Sequence, residues 1–271
     1  MLLGLKFLHE NQIVHGDLQP GNILFHLQDL AGLDPKDLEQ NQTNSKLDPL
    51  IRMDGKVDLW APKYLAVHEP LTRVALPQDQ QIVKLADFGG AFWVDKPPAS
   101  VKTPFAFRAP ETILHERVST AIDIWSFGCL MFELLTEHPL FELFTFCRQV
   151  DGVNDDHLIQ ISEIIGPLTL KMLAKWPRYS TYFGTDGTRL TAIPSGFDES
   201  EMGLKLERSC KNHGPPLPYD ALKKKFYKYK PGDTDDSEAE EIVSLFKEIL
   251  DVDPLRRPSA VQLLTHPWFR A

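Results

Sequence analysis

Residues 121–136, AIDIWSFGCLMFELLT, constrain the fold of this chain more than any other stretch. Apolar side chains fall on nearly every side of a helix drawn through them, so that helix must be buried on most of its surface. Other elements then have to wrap around it, and 271 residues are ample for such a core. The wrapping segments are legible by their period. Met1, Leu2, Leu5 and Leu8 make one helical face, in a helix that starts at full amphipathic strength without a cap, as though cut into. Leu158, Ile161, Ile164 and Ile165 mark a helix over 155–165. Ile242, Leu245, Phe246, Ile249 and Leu250 mark another that ends at Asp253-Pro254. Pro258 and Ser259 open a last short helix closed by His266-Pro267.

Strands are few. Residues 82–94, IVKLADFGGAFWV, read as a short strand, a glycine-containing turn and more extended chain. Thr120 followed by Asp123 resembles a capping box at the start of the buried helix. Residues 26–80 are a long polar excursion with an aromatic island around Trp60 and Tyr64, and 167–232 are irregular and rich in proline. No internal repeat is visible. The expected class is mainly α with a few short β-strands.

Charge narrows the partners. With 29 basic and 38 acidic residues the chain carries −9, which disfavours direct contact with nucleic acid or an anionic membrane and suits a basic protein partner. The acid is clustered at Asp151, Asp155 and Asp156, at Asp198, Glu199 and Glu201, and from Asp233 to Glu241. Each cluster reads as solvated loop or helix N-terminus, or else as a docking surface. Cys129, Cys147 and Cys210 are odd in number and widely spaced, so neither a disulfide framework nor a zinc pattern emerges. No signal peptide and no apolar span of about twenty residues is found. A soluble protein of the cytoplasm, the nucleus or both is expected.

The chemistry lies in I-V-H-G-D-L-Q-P-G-N-I-L-F, residues 13–25. Phosphoryl transfer needs a carboxylate to orient or deprotonate the acceptor hydroxyl, and oxygen ligands for Mg²⁺ on the nucleotide phosphates. Asp17 and Asn22, five apart in a loop between helix and strand, are of the right kinds. Asp87, in A-D-F-G, is a second hard oxygen donor, with Gly89 allowing a sharp turn beside it. Seventy residues separate Asp17 from Asp87, so only a fold can unite them. Three further motifs come in order: R-A-P-E at 108–111, D-I-W-S-F-G at 123–128, and R-R-P at 256–258 before a closing H-P-W-F.

The ordered set resembles the C-terminal lobe of a eukaryotic protein kinase over essentially all of residues 1–271, with 26–80 inserted between the catalytic loop and the DFG strand. A-D-F-G-G-A-F-W-V resembles the segment of SR-protein kinases, here of a fungal type, which phosphorylate serines of Arg/Ser-rich splicing proteins. D-D-H-L-I-Q-I-S-E-I-I-G and the insert at 167–232 resemble the wider cyclin-dependent and mitogen-activated group. The resemblance implies a serine/threonine protein kinase using ATP and Mg²⁺ on an Arg/Ser-rich protein substrate. It makes Asp17 the catalytic base, with Gln19 beside it, and groups Asp17, Asn22 and Asp87 around the nucleotide, Asn22 and Asp87 as metal ligands. His15 and Phe88 would pack beneath the site, Glu111 would pair with Arg257, and Asp123 would brace the catalytic loop. Oligomeric state is left open.

Two alternatives remain beside this reading. His-Gly-Asp followed by Pro-Gly-Asn also fits aminoglycoside and choline kinase-like phosphotransferases, which lack the three later motifs. A non-catalytic, pseudokinase-like interaction module is the other, because the chain departs from the family pattern. Gly16 replaces the Arg of His-Arg-Asp, which removes the receiver for an activation-segment phosphate. Gln19 replaces a Lys and brings no positive charge to the transition state, so slower chemistry is expected. Pro104 stands where a Thr is usual, with Thr103 one place early. The run ahead of His15 is too short for the glycine-rich loop, the strand Lys and the hinge, so the N-terminal lobe is expected to be absent and activity to be weak or nil.

Overall fold

The computed structural model describes residues 1–34, 47–57, 59–66, 74–77, 80–143, 150–190 and 218–270. Cys147, Cys210 and the acidic cluster at Asp198, Glu199 and Glu201 lie outside them. The chain forms two compact units, one of Met1–Ile23 with Leu85–Ala271 and one of Leu24–Lys84.

The first unit is built around α3 (Ala121–Thr136), whose Trp125, Leu130 and Phe132 are wholly buried. The helix is covered on most sides because its sequence leaves no polar face to turn outward. Asp236–Ile249 (α8) and Leu222–Tyr229 (α7) close on it through three rings. Phe132, Phe226 and Phe246 meet pairwise with centroids 5.6–6.2 Å apart. Gly128 explains the close approach of α3 and α8: a Cβ there would fall 2.6 Å from Ile249 Cγ2 and 2.8 Å from Leu250 Cδ2. Helix α1 (Leu2–Glu10) buries Leu2, Leu5 and Leu8 and packs on α9 (Ala260–Leu263). Ser259 caps α9 through a reciprocal box with Gln262. Ahead of α3 in the chain lies the single-turn α2 (Pro110–Ile113), opened by proline at its first position, where the missing N–H costs nothing.

Strands are short. Ile13–Val14 (β1) pairs antiparallel with Phe92–Trp93 (β6), in register Ile13 with Trp93 and Val14 with Phe92. Ile23–Phe25 (β2) pairs with Val83–Leu85 (β5). In the second unit Leu47–Pro49 (β3) and Tyr64–Ala66 (β4) form an antiparallel pair. The loop between them carries highly exposed Ile51, Met53 and Trp60.

Three local expectations need correction. Thr120 does not cap α3: its side chain makes no cap bond, and Asp123 turns elsewhere. The helix expected over 155–165 starts earlier, as α4 (Val150–Ile164), and its acids are not solvated as a group. Asp155 is 1% exposed and accepts bonds from Trp176 Nε1 (2.8 Å), Tyr182 Oη (2.8 Å) and Arg178 Nε (2.5 Å). Asp156 is also buried, and Tyr219 Oη approaches it at 3.4 Å. A buried carboxylate is tolerated only with such partners. The third concerns 167–232, expected to be irregular. Its described residues include three short helices, α5 (Leu170–Lys175), α6 (Tyr179–Tyr182) and α7, set between non-helical stretches. Thr169 caps α5 on Met172 N, a signal hidden among the prolines.

Candidate active site

The loop after β1 is fixed from below by one buried carboxylate. Asp123, in the first turn of α3 and 1% exposed, accepts from His15 N (Oδ2, 2.8 Å) and Gly16 N (Oδ1, 2.9 Å). His9 Nε2, from the last turn of α1, lies 3.0 Å from Oδ2. Two backbone donors on one carboxylate set the direction of the loop, which is why this Asp sits inside rather than at a cap.

Asp17 then projects from a fixed backbone. Gln19 Nε2 donates to its Oδ1 (2.9 Å) and Asn22 Nδ2 to its Oδ2 (3.1 Å) and to its carbonyl (2.8 Å). Both carboxylate oxygens therefore have amide donors, and no cation neutralises them through these bonds. With its nitrogen committed to Asp17, Asn22 has Oδ1 left as the atom to offer a cation.

The gap of seventy residues is closed by Ala86. Its N donates to Asn22 O (2.9 Å) and its carbonyl meets His15 Nε2 at 3.0 Å. Asp87 comes next, exposed and in left-handed backbone at φ 60°, with Oδ1 accepting from Gly89 N at 3.1 Å. The second oxygen of Asp87 and Oδ1 of Asn22 are hard donors of the type Mg²⁺ takes. Among the described residues no cluster of three or more His, Cys, Asp or Glu is poised for a metal, so the remaining ligands would be phosphate and water oxygens. Phe88 packs on His15 with centroids 5.2 Å apart, but half of its surface is exposed, more than the buried position expected for it.

The segment after Asp87 is anchored at its far end. Glu111 and Arg257 form a two-pronged pair at 2.6 and 2.8 Å, both buried, with Arg257 also over the Trp125 ring at 4.8 Å. Sequence reasoning named this pair and the Asp123 brace; it missed three contacts. His9 reaches Asp123. Gly90, the second glycine of D-F-G-G, lets the chain pass Asp17: a Cβ at 90 would stand 3.3 Å from Asp17 Cβ. Thr103 Oγ1 donates to Gly16 O at 2.6 Å from a 2% exposed position. The shifted Thr is visible in the sequence as a departure from the family pattern, but the contacts of all three residues need the fold.

Gly16 itself is accounted for sterically. At φ 73° it is in the left-handed region, and a Cβ would lie 2.9 Å from Gly90 O and 3.1 Å from the Phe92 ring. An Arg side chain could not leave that Cα without moving the DFG turn.

Comparison with known proteins agrees with this geometry. The protein kinase domain family matches residues 74–269. The serine/threonine-protein kinase SRPK of Physarum polycephalum is 28% identical over 282 residues, covering 99% of this chain and 58% of its own length. The dual specificity protein kinase CLK1 of Homo sapiens is 28% identical over 266 residues, covering 98% and 42%. The serine/threonine-protein kinase Doa of Drosophila melanogaster is 26% identical over 265 residues, covering 98% and 25%. The chain thus spans 25–58% of the length of these relatives. The crystal structure of a kinase domain, 23% identical, superimposes with a TM-score of 0.54 and covers 98% of this chain and 62% of that one.

These matches overturn the expectation of a bare C-terminal lobe with the N-terminal lobe absent. The match is to the protein kinase domain, and a solved kinase domain follows 98% of the chain. The expectation rests on the short run ahead of His15, and where a sequence starts does not determine the fold class of the residues after it. The mainly helical character with short strands does hold. The small-molecule phosphotransferase alternative falls with the same match, and this chain belongs to the protein kinase domain family.

Proposed function

We propose that the chain acts in phosphoryl transfer from ATP to serine or threonine hydroxyls of a protein, with Asp17 as the base. The observation that carries this is the double tie of Ala86, to His15 and to Asn22, which sets Asp87 beside the loop that bears Asp17. Asp17 orients the acceptor hydroxyl and takes its proton; Asn22 and Asp87 would hold Mg²⁺, which would shield the phosphate oxygens. Gln19 steadies Oδ1 of Asp17 and adds no charge.

Transfer to serine or threonine is supported by the relatives named as serine/threonine kinases, while the relative named as a dual specificity kinase supports protein phosphorylation without narrowing the acceptor. An Arg/Ser-rich substrate is drawn from the resemblance of A-D-F-G-G-A-F-W-V. The acids at 151–156 lend it little, because Arg178 of the same chain already bonds Asp155 and Asp151. The uncharged Gln19 favours a second reading, a non-catalytic module that binds its partner without turnover. Phosphate transfer to an Arg/Ser peptide by the purified chain separates the two. Transfer that disappears in Asp17→Asn supports catalysis; transfer unchanged in that variant rules out Asp17 as base.

A further inference from the structure

A buried ammonium stands in the wall of a small cavity with most of its donors unused. Lys225, on α7, is buried, and a buried charge is tolerated only when it is paired and hydrogen-bonded. Its Nζ makes one such contact, to Glu142 Oε1 at 3.0 Å, so two of the three ammonium hydrogens have no acceptor among the described residues. The pair is lopsided: the Lys225 side chain is 10% exposed and that of Glu142 62%. The lysine is fixed, and the carboxylate leans in from solvent. Only the side chain of Glu142 can swing, because the wholly buried Gln160 of α4 holds its backbone, accepting from N at 3.0 Å and donating to O at 2.8 Å.

The cavity measures about 120 Å³, below the roughly 300–1,000 Å³ of a pocket for a whole small molecule, and suits one compact group. Tyr219 and Tyr229 line it and are themselves held in place. Tyr219 N donates to Glu163 Oε2 at 2.8 Å, and the Tyr229 and His138 ring centroids are 4.0 Å apart. Lys228 lines it too, three residues after Lys225 and so on the same face of α7, and no acid among the described residues pairs with it. Asp220, the second acid of the lining, is taken by Lys224 at 2.7 Å. With Glu142 and Asp220 each matched to a lysine, the charge of Lys228 is left over, in a chain that carries −9. Spare donors and a spare positive charge around one compact space suit an oxyanion.

We propose that this cavity is a binding site for one phosphate group, held by Lys225 and Lys228, in which Glu142 is the resident carboxylate that the ligand displaces. A phosphate monoester carries a charge of about −1.5 to −2 and three strong acceptor oxygens, so it satisfies the ammonium hydrogens that Glu142 leaves. Inorganic phosphate and a phosphorylated side chain of a protein partner share this chemistry, and the test distinguishes them. The site does not depend on Asp17 as a base.

The test is calorimetric titration of the purified chain at low ionic strength, without Mg²⁺ so that Asn22 and Asp87 take no part. The probes are inorganic phosphate, a phosphoserine peptide and the unphosphorylated form of that peptide. Phosphate binds, and Lys225→Met weakens it about tenfold or more, as loss of one charge-assisted hydrogen bond does. Lys228→Gln weakens it about two- to fivefold, as loss of an exposed charge does. Glu142→Gln tightens it, because the competitor is gone. That substitution also strands Lys225, so phosphate raises the melting temperature of Glu142→Gln more than that of the wild type. Binding of the phosphopeptide with the same dependence, and not of its unphosphorylated form, identifies a phosphoprotein as the source; binding of inorganic phosphate alone identifies the free ion. Failure of both probes to bind overturns the proposal. So does phosphate affinity left unchanged by Lys225→Met or lowered by Glu142→Gln. If Lys225→Met does not fold, the two surface variants decide, and affinity that neither of them changes overturns the site.

Discussion

Asp123 commits both carboxylate oxygens to the backbone N–H groups of His15 and Gly16, the two residues before Asp17, and His9 stands against one of those oxygens. An amide in its place offers one acceptor and turns a donor at a donor. Asp123→Asn is therefore expected to lower phosphate transfer by roughly 10- to 100-fold, the worth of a charge-assisted hydrogen bond, in a steady-state assay. His157 makes a different prediction. Its ring is wholly buried against Phe141, neither nitrogen has a hydrogen-bond partner among the described residues, and burial, aided by the Arg108 charge, pushes its pKa from 6.5 down to about 3. The folded state thus keeps the imidazole neutral where the unfolded chain protonates it. Its contribution to stability is whole above pH 6.5 and is lost as pH falls towards 3, with a slope of at most about 1.4 kcal/mol per pH unit. Urea unfolding at pH 7 and pH 5 should show that loss in the wild type and a smaller one in His157→Leu.

Between elements, Glu111 and Arg257 link α2 to the loop ahead of α9 with both groups out of water. Removing one partner strands the other charge, so Arg257→Met should cost roughly 3–5 kcal/mol in chemical denaturation. Gly128→Val should cost about 1–3 kcal/mol or more by the same measurement, because the new side chain meets Ile249 and Leu250 where α3 and α8 touch. These elements show what a sequence reveals. Helix α3 is legible to its ends because burial on most of its surface leaves an unmistakable apolar run, α1 and α8 by their apolar period, and α9 by the Pro258-Ser259 that opens it. Local pattern gives Asp123 a place in a capping box while the family resemblance gives it the brace, and the return of residues 15 and 16 to its carboxylate decides for the brace. Asp155 looked solvated because its partners, Trp176, Arg178 and Tyr182, are more than twenty positions away. The Thr103 contact with Gly16 is longer in range still and has no local signal.

At the scale of the molecule, the order of motifs along the chain is reproduced as neighbourhood in space. The loop of Asp17, the turn of Asp87 and the anchored segment ending at Glu111 all belong to the first unit, organised around α3. Among the described residues no helix is long and apolar enough to cross a membrane. Most depends on Asn22 and Asp87 together offering a magnesium-nucleotide site beside Asp17. Calorimetric titration of ATP into the purified chain, with and without Mg²⁺, tests this most directly. Tighter binding with Mg²⁺ in the wild type, and loss of that increment in Asp87→Ala, is the predicted result. An increment that survives in Asp87→Ala, or equal affinity with and without Mg²⁺ in the wild type, would contradict it.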